Sequence, residues 1–233
     1  MGKNKLARFA EMALFPNVIQ PAYKETLVQD HPLKGKWNTD YFKTDRPITL
    51  ELGCGRGEYT VGLARQFPDV NFIGADIKGA RIFKGASTAL NEKLQHVAFV
   101  RTHIEMAGRF FNAGEISEIW LTFPDPQEKN RRRKKRLTGP RFLSLYREFL
   151  KPGGAINLKT DNQLFFNYTL ALLKENRFPV HAVTNDLYSS DIEGMTYQIR
   201  THYEQMFLNE GKRILYVRFS IPGHEEIREP EGF

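Results

Sequence analysis

The stretch ITLELGCGRGEYT, residues 48–60, places three glycines between a run of β-forming residues and the start of a helical pattern. Glycine adopts a positive φ without strain and lets a ligand approach the backbone closely. The spacing is G-x-G-x-G, and Glu58 stands where the dinucleotide fingerprint G-x-G-x-x-G has its third glycine. A carboxylate at the start of that helix also disfavours a bound pyrophosphate. The stretch therefore predicts a strand–loop–helix ligand site of another kind.

Two acidic residues accompany this loop. Glu51 lies two residues before the first glycine, and Asp76 ends the next β-rich run. A carboxylate after the second strand can accept hydrogen bonds from both ribose hydroxyls of an adenosine, and Glu51 lies near the place for a cationic amino group. Together with Gly53 and Gly55, these acids favour S-adenosylmethionine over NAD, because that ligand carries an amino acid and a sulfonium but no phosphate. The alternative is an ordinary tight turn whose acids cap helices.

Short apolar runs alternate with helical patterns from residue 47 onward. β-rich runs occur at 48–52, 71–75, 97–101, 118–123, 155–159, 180–184 and 213–219, and helical patterns at 58–67, 79–93, 138–150 and 162–176. This alternation predicts an α/β fold in which helices cover both faces of a parallel sheet. No helix follows the last run, so we predict a Rossmann-like, doubly wound seven-stranded sheet with an antiparallel last strand. Ligands of such sheets bind beyond the carboxyl ends of the strands.

The residues after the third β-rich run, RTHIE at 101–105, are expected beside the adenine of such a cofactor. His103 is a candidate for direct contact with the adenine, and Ile104 would offer it an apolar surface. A lone histidine is more often an ordinary surface residue, and this alternative stays open for His103.

A dense basic run follows the fourth β-rich run. In FPDPQEKNRRRKKR, residues 123–136, Asp125 comes at the expected strand end, and seven of the eight residues from Lys129 to Arg136 are basic. The net charge of +7 and the pI near 9.4 indicate an anionic partner, and nucleic acid is the first candidate. Basic side chains that contact phosphates position a nucleic acid without reading its sequence. The alternative is a solvated flexible loop.

The composition excludes several classes of protein. No stretch approaches the roughly 20 apolar residues of a membrane-spanning helix, and residues 1–15 lack the continuous apolar segment of a signal peptide. A single cysteine, Cys54, excludes an internal disulfide and a multi-cysteine zinc site, and the sequence contains no other metal-ligand cluster. A cytoplasmic location is expected, because the cytoplasm is reducing.

Several motifs together resemble the class I tRNA (guanine-N(7)-)-methyltransferases, a family that uses S-adenosylmethionine. The matching pieces are ELGCGRGEY at 51–59, GADIKGAR at 74–81, FPDPQEKNRRRKKRL at 123–137, LKPGGAINLKTDN at 150–162 and THYE at 201–204. The resemblance covers roughly residues 47–219, and the mixed composition of residues 1–45 predicts an N-terminal extension before a methyltransferase domain at 46–233. Two residues depart from the family pattern: Gln127 stands where tryptophan is usual, and His103 replaces the usual acid.

The resemblance implies transfer of a methyl group from S-adenosylmethionine to N7 of guanosine in tRNA, at guanosine 46 of the variable loop. It implies that Lys129 and Asp161 act in substrate binding and catalysis, and that Thr201 and Glu204 complete the guanine pocket. Asp125 would lie beside both the cofactor and the acceptor. Guanine N7 has a lone pair and no proton, so it can attack the methyl carbon without a general base. The task of the site is then positioning and electrostatic stabilisation.

Structural alternatives exist for these residues. Thr201 and Glu204 also form a capping box, S/T-x-x-E, for a helix that ends at Gly211, and both roles are compatible. Asp161 could cap the helix that follows it. Alternative functions are methyl transfer to another RNA, a small molecule or a protein, and RNA binding without catalysis. The sequence leaves open whether the protein is a monomer or a homodimer.

Overall fold

The computed structural model describes residues 10–192 and 199–233, which contain one mixed sheet. Its eight strands within these residues have the order β1-β4-β3-β2-β5-β6-β8-β7. Their bounds are Val18–Ile19 (β1), Ile48–Leu52 (β2), Asn71–Asp76 (β3), Val97–Arg101 (β4), Ile116–Thr122 (β5), Leu150–Thr160 (β6), Val180–Thr184 (β7) and Leu215–Phe219 (β8). All seven β-rich runs form strands. The predicted number of strands is one too low, because the two residues of β1 are too few to give a sequence pattern.

The sheet is doubly wound, as predicted. The strands from β1 to β6 pair in parallel, whereas β8 is antiparallel to both β6 and β7. The chain leaves β2 towards β3 and β4 on one side, and continues through β5 and β6 on the other. The switch point of strand order therefore lies between β2 and β5, where such folds bind their ligands.

Helices cover both faces of the sheet. The bounds of the described α-helices are Tyr23–Val28 (α1), Glu58–Gln66 (α2), Gly79–Asn91 (α3), Pro140–Phe149 (α4), Gln163–Glu175 (α5) and His202–Asn209 (α6). Two apolar cores result, one between the sheet and α4 and α5, the other between the sheet and α2, α3 and α6. Strand residues alternate between them: Ala98 and Val100 belong to the first core and Phe99 to the second. No described helix has the length and apolar character needed to cross a membrane.

The N-terminal segment packs onto the sheet. Strand β1 pairs with Phe99 and Val100 of β4, and helix α1 follows β1 in the chain. A π-helical turn, Trp37–Phe42, buries the indole of Trp37, which donates a hydrogen bond of 2.8 Å to the carbonyl of Phe110. Residues 1–9, part of the stretch in which no signal peptide is predicted, lie outside the described residues.

Candidate active site

The glycine loop joins β2 to α2 at the carboxyl edge of the sheet. Gly53, Gly55 and Gly57 have φ angles of +79°, +53° and +67°, in the left-handed region that favours glycine. The amides of Gly53 and Cys54 donate to the carbonyl of Ala75 at 2.8 and 3.0 Å. These bonds hold the loop against the end of β3, as the sequence pattern predicts for a strand–loop–helix site.

The three glycines differ in the space around them. A Cβ atom added to Gly57 would lie 2.6 Å from the ring of Phe99, so this glycine is needed for packing. A Cβ atom on Gly53 would find its nearest neighbour, the Cδ1 atom of Ile104, 4.0 Å away, and one on Gly55 would be equally far from the Gly53 carbonyl. The first two glycines therefore leave the surface of the loop open to a ligand.

Asp76 holds the loop from the side. Its Oδ2 atom accepts a hydrogen bond of 2.9 Å from the amide of Gly55, and its Oδ1 atom accepts one of 2.7 Å from the amide of Lys78. A carboxylate offers about four acceptor positions. Positions therefore remain for the two hydroxyls of a ribose, as the sequence predicts for this residue.

Glu51 lies beneath the loop and is only 2% exposed. Its Oε2 atom accepts from the amide of Thr60 at 2.9 Å and from the Thr60 hydroxyl, and its Oε1 atom accepts from the Thr122 hydroxyl at 2.6 Å. Burial raises the pKa of Glu51 to about 7; the hydrogen bonds oppose this shift and the negative charge of Asp76 adds to it. Glu51 thus ties α2 to β5, and its Oε1 atom has an acceptor position left for the amino group of a ligand.

The residues expected beside adenine follow β4. His103 is exposed and precedes a 3₁₀-helix, Ile104–Arg109. Ile104 is half-buried, and its Cδ1 atom is the neighbour nearest to a Cβ position on Gly53. The ring of His103 lies 5.0 Å from that of Tyr23, in the N-terminal segment. The structure therefore brings Ile104 next to the glycine loop and His103 next to α1.

Asp125 follows β5 in an exposed turn. The turn begins at Phe123, which has a φ of +49° and donates its amide to the carbonyl of Lys159 at 2.8 Å. The Oδ1 atom of Asp125 accepts a 3.0 Å hydrogen bond from the amide of Gln127. Since β5 borders the switch point, the carboxylate lies at the same edge of the sheet as the glycine loop.

The basic run forms a 3₁₀-helix, Asn130–Lys135, and residues 129–135 are exposed. Arg136 is the exception. The prediction that the whole run from Lys129 to Arg136 is a phosphate-binding surface is wrong for this residue. This side chain is buried, and its guanidinium group lies 4.3 Å from the ring centre of Tyr168, in a cation–π contact. Its Nε atom donates to the carbonyl of Gln127 at 3.4 Å. The exposed positive surface therefore consists of six side chains, beginning with Lys129.

Asp161 follows β6 and forms an ion pair of 3.0 Å with Lys212. It does not cap the next helix. Asn162 does so, because its side-chain oxygen accepts a 2.8 Å hydrogen bond from the amide of Phe165. The amide group of Asn162 also donates to Glu128 at 2.7 Å, which joins the loops after β5 and β6. Asp161 is thus left at the sheet edge, beside the loop that carries Asp125.

The capping box at α6 is confirmed. The Thr201 hydroxyl accepts from the Glu204 amide at 3.2 Å, and Glu204 accepts from the Thr201 amide at 3.4 Å. Glu204 also forms an ion pair of 2.7 Å with Lys159, both side chains being fully buried, and it accepts from the hydroxyl of Tyr188 at 2.9 Å. Burial lowers the pKa of Lys159, and the charge of Glu204 opposes this shift. Both carboxylate oxygens of Glu204 are therefore engaged by protein groups.

Sequence reasoning missed three residues that support the site. Thr60 and Thr122 hold Glu51, and Lys159 pairs with Glu204. The position of Lys159 inside an apolar run could have predicted its role, because a lysine buried in a strand needs a partner of opposite charge. The two threonines gave none, since hydroxyl residues are common in strands and helices alike.

These features define a class I methyltransferase, whose sheet edge combines an open glycine loop, an acid after β3 and an exposed turn after β5. The described residues contain no group of His, Cys, Asp and Glu side chains able to hold a metal ion. A solved structure of the 16S rRNA methyltransferase KamB has the same fold, with a TM-score of 0.61 at 12% identity over 82% of this chain and 95% of that one. This likeness bears on the fold alone.

Sequence comparison identifies the family. Residues 45–217 match the family described as "Putative methyltransferase". A protein of Bacteroides fragilis (strain YCH46), named tRNA (guanine-N(7)-)-methyltransferase, is 51% identical over 99% of this chain and 91% of its own length. A protein of that name from Porphyromonas gingivalis (strain ATCC BAA-308 / W83) is 51% identical over 94% and 91%. The chain belongs to the tRNA (guanine-N(7)-)-methyltransferase family, which confirms the resemblance seen in the motifs.

Proposed function

We propose that this protein transfers a methyl group from S-adenosylmethionine to N7 of a guanosine in tRNA, the variable-loop guanosine 46 in the family pattern. The observation that carries the proposal is the 51% identity to relatives named for this reaction, over nearly the whole chain. The exposed basic run at the same sheet edge as the glycine loop supports a nucleic-acid acceptor. The methyltransferase domain comprises residues 46–233, after an N-terminal extension at 1–45. The reaction takes place in the cytoplasm.

Four groups bind the cofactor in this proposal. Gly53 and Gly55 give the open backbone surface, Asp76 accepts from the ribose hydroxyls, and Glu51 accepts from the amino group. When bound, S-adenosylmethionine supplies a methyl group on a positively charged sulfur. Asp125 lies at the strand end beside this position. The protein needs no metal ion for this chemistry, because the sulfonium itself makes the methyl carbon electrophilic.

The acceptor base is held by the loops after β5 and β6. Guanine presents N1–H and an N2 amino group, both donors, and a carboxylate that accepts from both rejects adenine. Asp161 has this role, because it is 19% exposed and its ion-pair partner among the described residues, Lys212, is itself exposed. Lys129 neutralises a nearby phosphate. Thr201 and the first turn of α6 form the wall of the pocket, and the buried Glu204 holds this turn in place through its ion pair with Lys159.

The direct test is methylation of unmodified tRNA by the purified protein with S-adenosylmethionine. Digestion and mass spectrometry detect 7-methylguanosine, and a tRNA in which adenosine replaces the variable-loop guanosine is the matched control. We expect the modified base in the first tRNA and none in the second. Methylation of both tRNAs, or of neither, would contradict the proposed acceptor.

Substitution of Asp161 tests the pocket. We expect Asp161→Ala to reduce kcat/KM for tRNA by at least about 100-fold, because one charge-assisted contact to a base contributes about 3 kcal/mol, while the Kd of S-adenosylhomocysteine changes little. Lys212→Met is the control, since it removes the same ion pair and keeps the carboxylate. Full activity of Asp161→Ala would exclude this residue from the pocket. Glu204 is the poorer probe, because its removal leaves Lys159 buried without its ion-pair partner.

A further inference from the structure

A cavity of about 420 Å³ lies at the carboxyl ends of β3 and β4. One side consists of residues that follow these strands, namely Ile77, Arg101, Thr102 and His103. The other side is formed by the N-terminal segment, through residues 20–23 and Thr26 of α1. Ile77 directly follows Asp76, the proposed ribose ligand, so the cavity adjoins the adenosine end of the cofactor site.

The N-terminal side of this cavity is fixed to the loop after β4. The buried Thr26 hydroxyl donates to the carbonyl of Tyr23 at 2.8 Å. Arg109, the last residue of the 3₁₀-helix after β4, donates to the carbonyl of Leu27 at 3.5 Å and forms an ion pair of 3.1 Å with Asp30. Helix α1 is therefore held by the same segment that begins beside His103.

Tyr23 is the notable side chain of this wall. The alternative for an aromatic residue in the N-terminal segment is core packing, yet Tyr23 is 53% exposed. Its ring centre lies 5.0 Å from that of His103, with an angle of 56° between the ring planes, and both residues line the cavity. Ile77, which lines the cavity from the segment after β3, is 42% exposed. A cavity that has an aromatic ring on one side and an aliphatic side chain on the other suits a flat heterocycle.

We propose that Tyr23 binds the adenine of the cofactor by stacking, so that the N-terminal segment closes the adenosine end of the site. This inference rests on the proposed function, since that function supplies the ligand. The order of the strands favours adenine of the cofactor, rather than a base of the RNA, as the ligand of this cavity. The cavity lies at β3 and β4, whereas Asp125 and Asp161 follow β5 and β6, on the other side of β2.

The test is the Kd of S-adenosylhomocysteine measured by isothermal titration calorimetry on the full chain. We expect Tyr23→Ala and Tyr23→Leu to weaken binding by about tenfold, since both variants lose the aromatic ring on which the base stacks. Tyr23→Phe keeps the ring and should bind within about twofold of the unsubstituted protein. Leu27→Ala is the matched control, because Leu27 is exposed on the same helix and does not line the cavity.

The outcomes separate the possible roles of Tyr23. Equal affinity in the unsubstituted protein, Tyr23→Ala and Tyr23→Leu would overturn the inference. If the Tyr23 variants raise the KM for tRNA but leave the Kd for S-adenosylhomocysteine unchanged, the inference is also overturned. The Tyr23 ring would then contact the RNA instead of the cofactor. Tyr23→Leu keeps the test valid if Tyr23→Ala fails to fold. Absence of binding by the unsubstituted protein would instead overturn the proposed function, and this result is distinguishable from the others.

Discussion

Glu51 illustrates how burial prepares a single residue for ligand binding. The carboxyl group lies among Thr60, Thr122 and Asp76, with almost no contact with water, and its pKa is raised to about 7 from an ordinary value of 4.5. A carboxyl group with such a pKa is partly protonated at neutral pH. A cationic amino group bound beside Glu51 would stabilise its ionised carboxylate, so that the carboxyl group would lose its proton on ligand binding.

The first residue-scale prediction concerns pH. The folded pKa of Glu51 exceeds the unfolded value, so its contribution to stability is fully present below pH 4.5 and is lost as the pH rises through about 7. The affinity for S-adenosylhomocysteine should change in the opposite direction, increasing about tenfold between pH 6 and pH 8 as the carboxylate forms. Calorimetry at these two pH values measures the change. Glu51→Gln should bind more weakly and largely lose this dependence, and an equally steep pH profile in that variant would exclude Glu51 as its source.

The strand–loop–helix element from β2 to α2 contains glycines of two kinds. Gly57 lies against Phe99 and Gly85, so no side chain fits there. Gly53 has a positive φ but faces open space. The element therefore uses one glycine for packing between helices and strands, and another for access of the ligand.

These two roles predict different effects of alanine. Gly57→Ala should destabilise the fold by about 3 kcal/mol or more, because strain at positive φ is added to overlap with the Phe99 ring. Gly53→Ala should lower the free energy of unfolding by about 1–2 kcal/mol, from the strain at positive φ alone, and should weaken cofactor binding. Urea unfolding midpoints and the Kd of S-adenosylhomocysteine measure the two effects. Similar unfolding midpoints for the two variants would contradict the distinction.

At the scale of the whole molecule, charge is arranged for a large anion. The exposed basic side chains from Lys129 to Lys135 lie at the carboxyl edge of the sheet, near Asp125. Arg136 is adjacent in sequence but belongs to the interior, where it stacks on Tyr168. Neighbouring arginines of one run therefore lie in different environments, residues 131–133 at the surface and Arg136 in the interior.

This arrangement predicts a strong effect of salt. Arg132→Ser and Lys134→Ser should each weaken tRNA binding and reduce the slope of log K against log salt concentration by about one, with no change in cofactor affinity. Lys174→Ser is a matched control, because Lys174 is exposed in the last turn of α5, at the far end of that helix. Arg136→Met should instead lower the thermal midpoint of unfolding. Filter-binding titrations at several salt concentrations measure the slopes. Equal slopes in all variants would show that the basic run does not contact the RNA phosphates.

The sequence by itself determined the features that depend on neighbouring residues. The alternation of strands and helices, the glycine loop, the acids at strand ends and the capping box at Thr201 are local patterns, because each follows from the conformational preferences of a few consecutive residues. The antiparallel direction of the last strand was also predicted correctly, because no helical pattern follows that strand. The motifs sufficed to indicate the family.

Only the tertiary structure decided which side chains meet. Glu51 and Thr122 are 71 positions apart, and no local pattern reports their hydrogen bond. The same holds for the Lys159–Glu204 ion pair, for the burial of Arg136 and for β1, whose two residues pair with β4. Asn162 rather than Asp161 caps α5, although either residue type suits the position. These outcomes depend on packing between distant segments, which fixes burial and hence the charge state and role of each polar group.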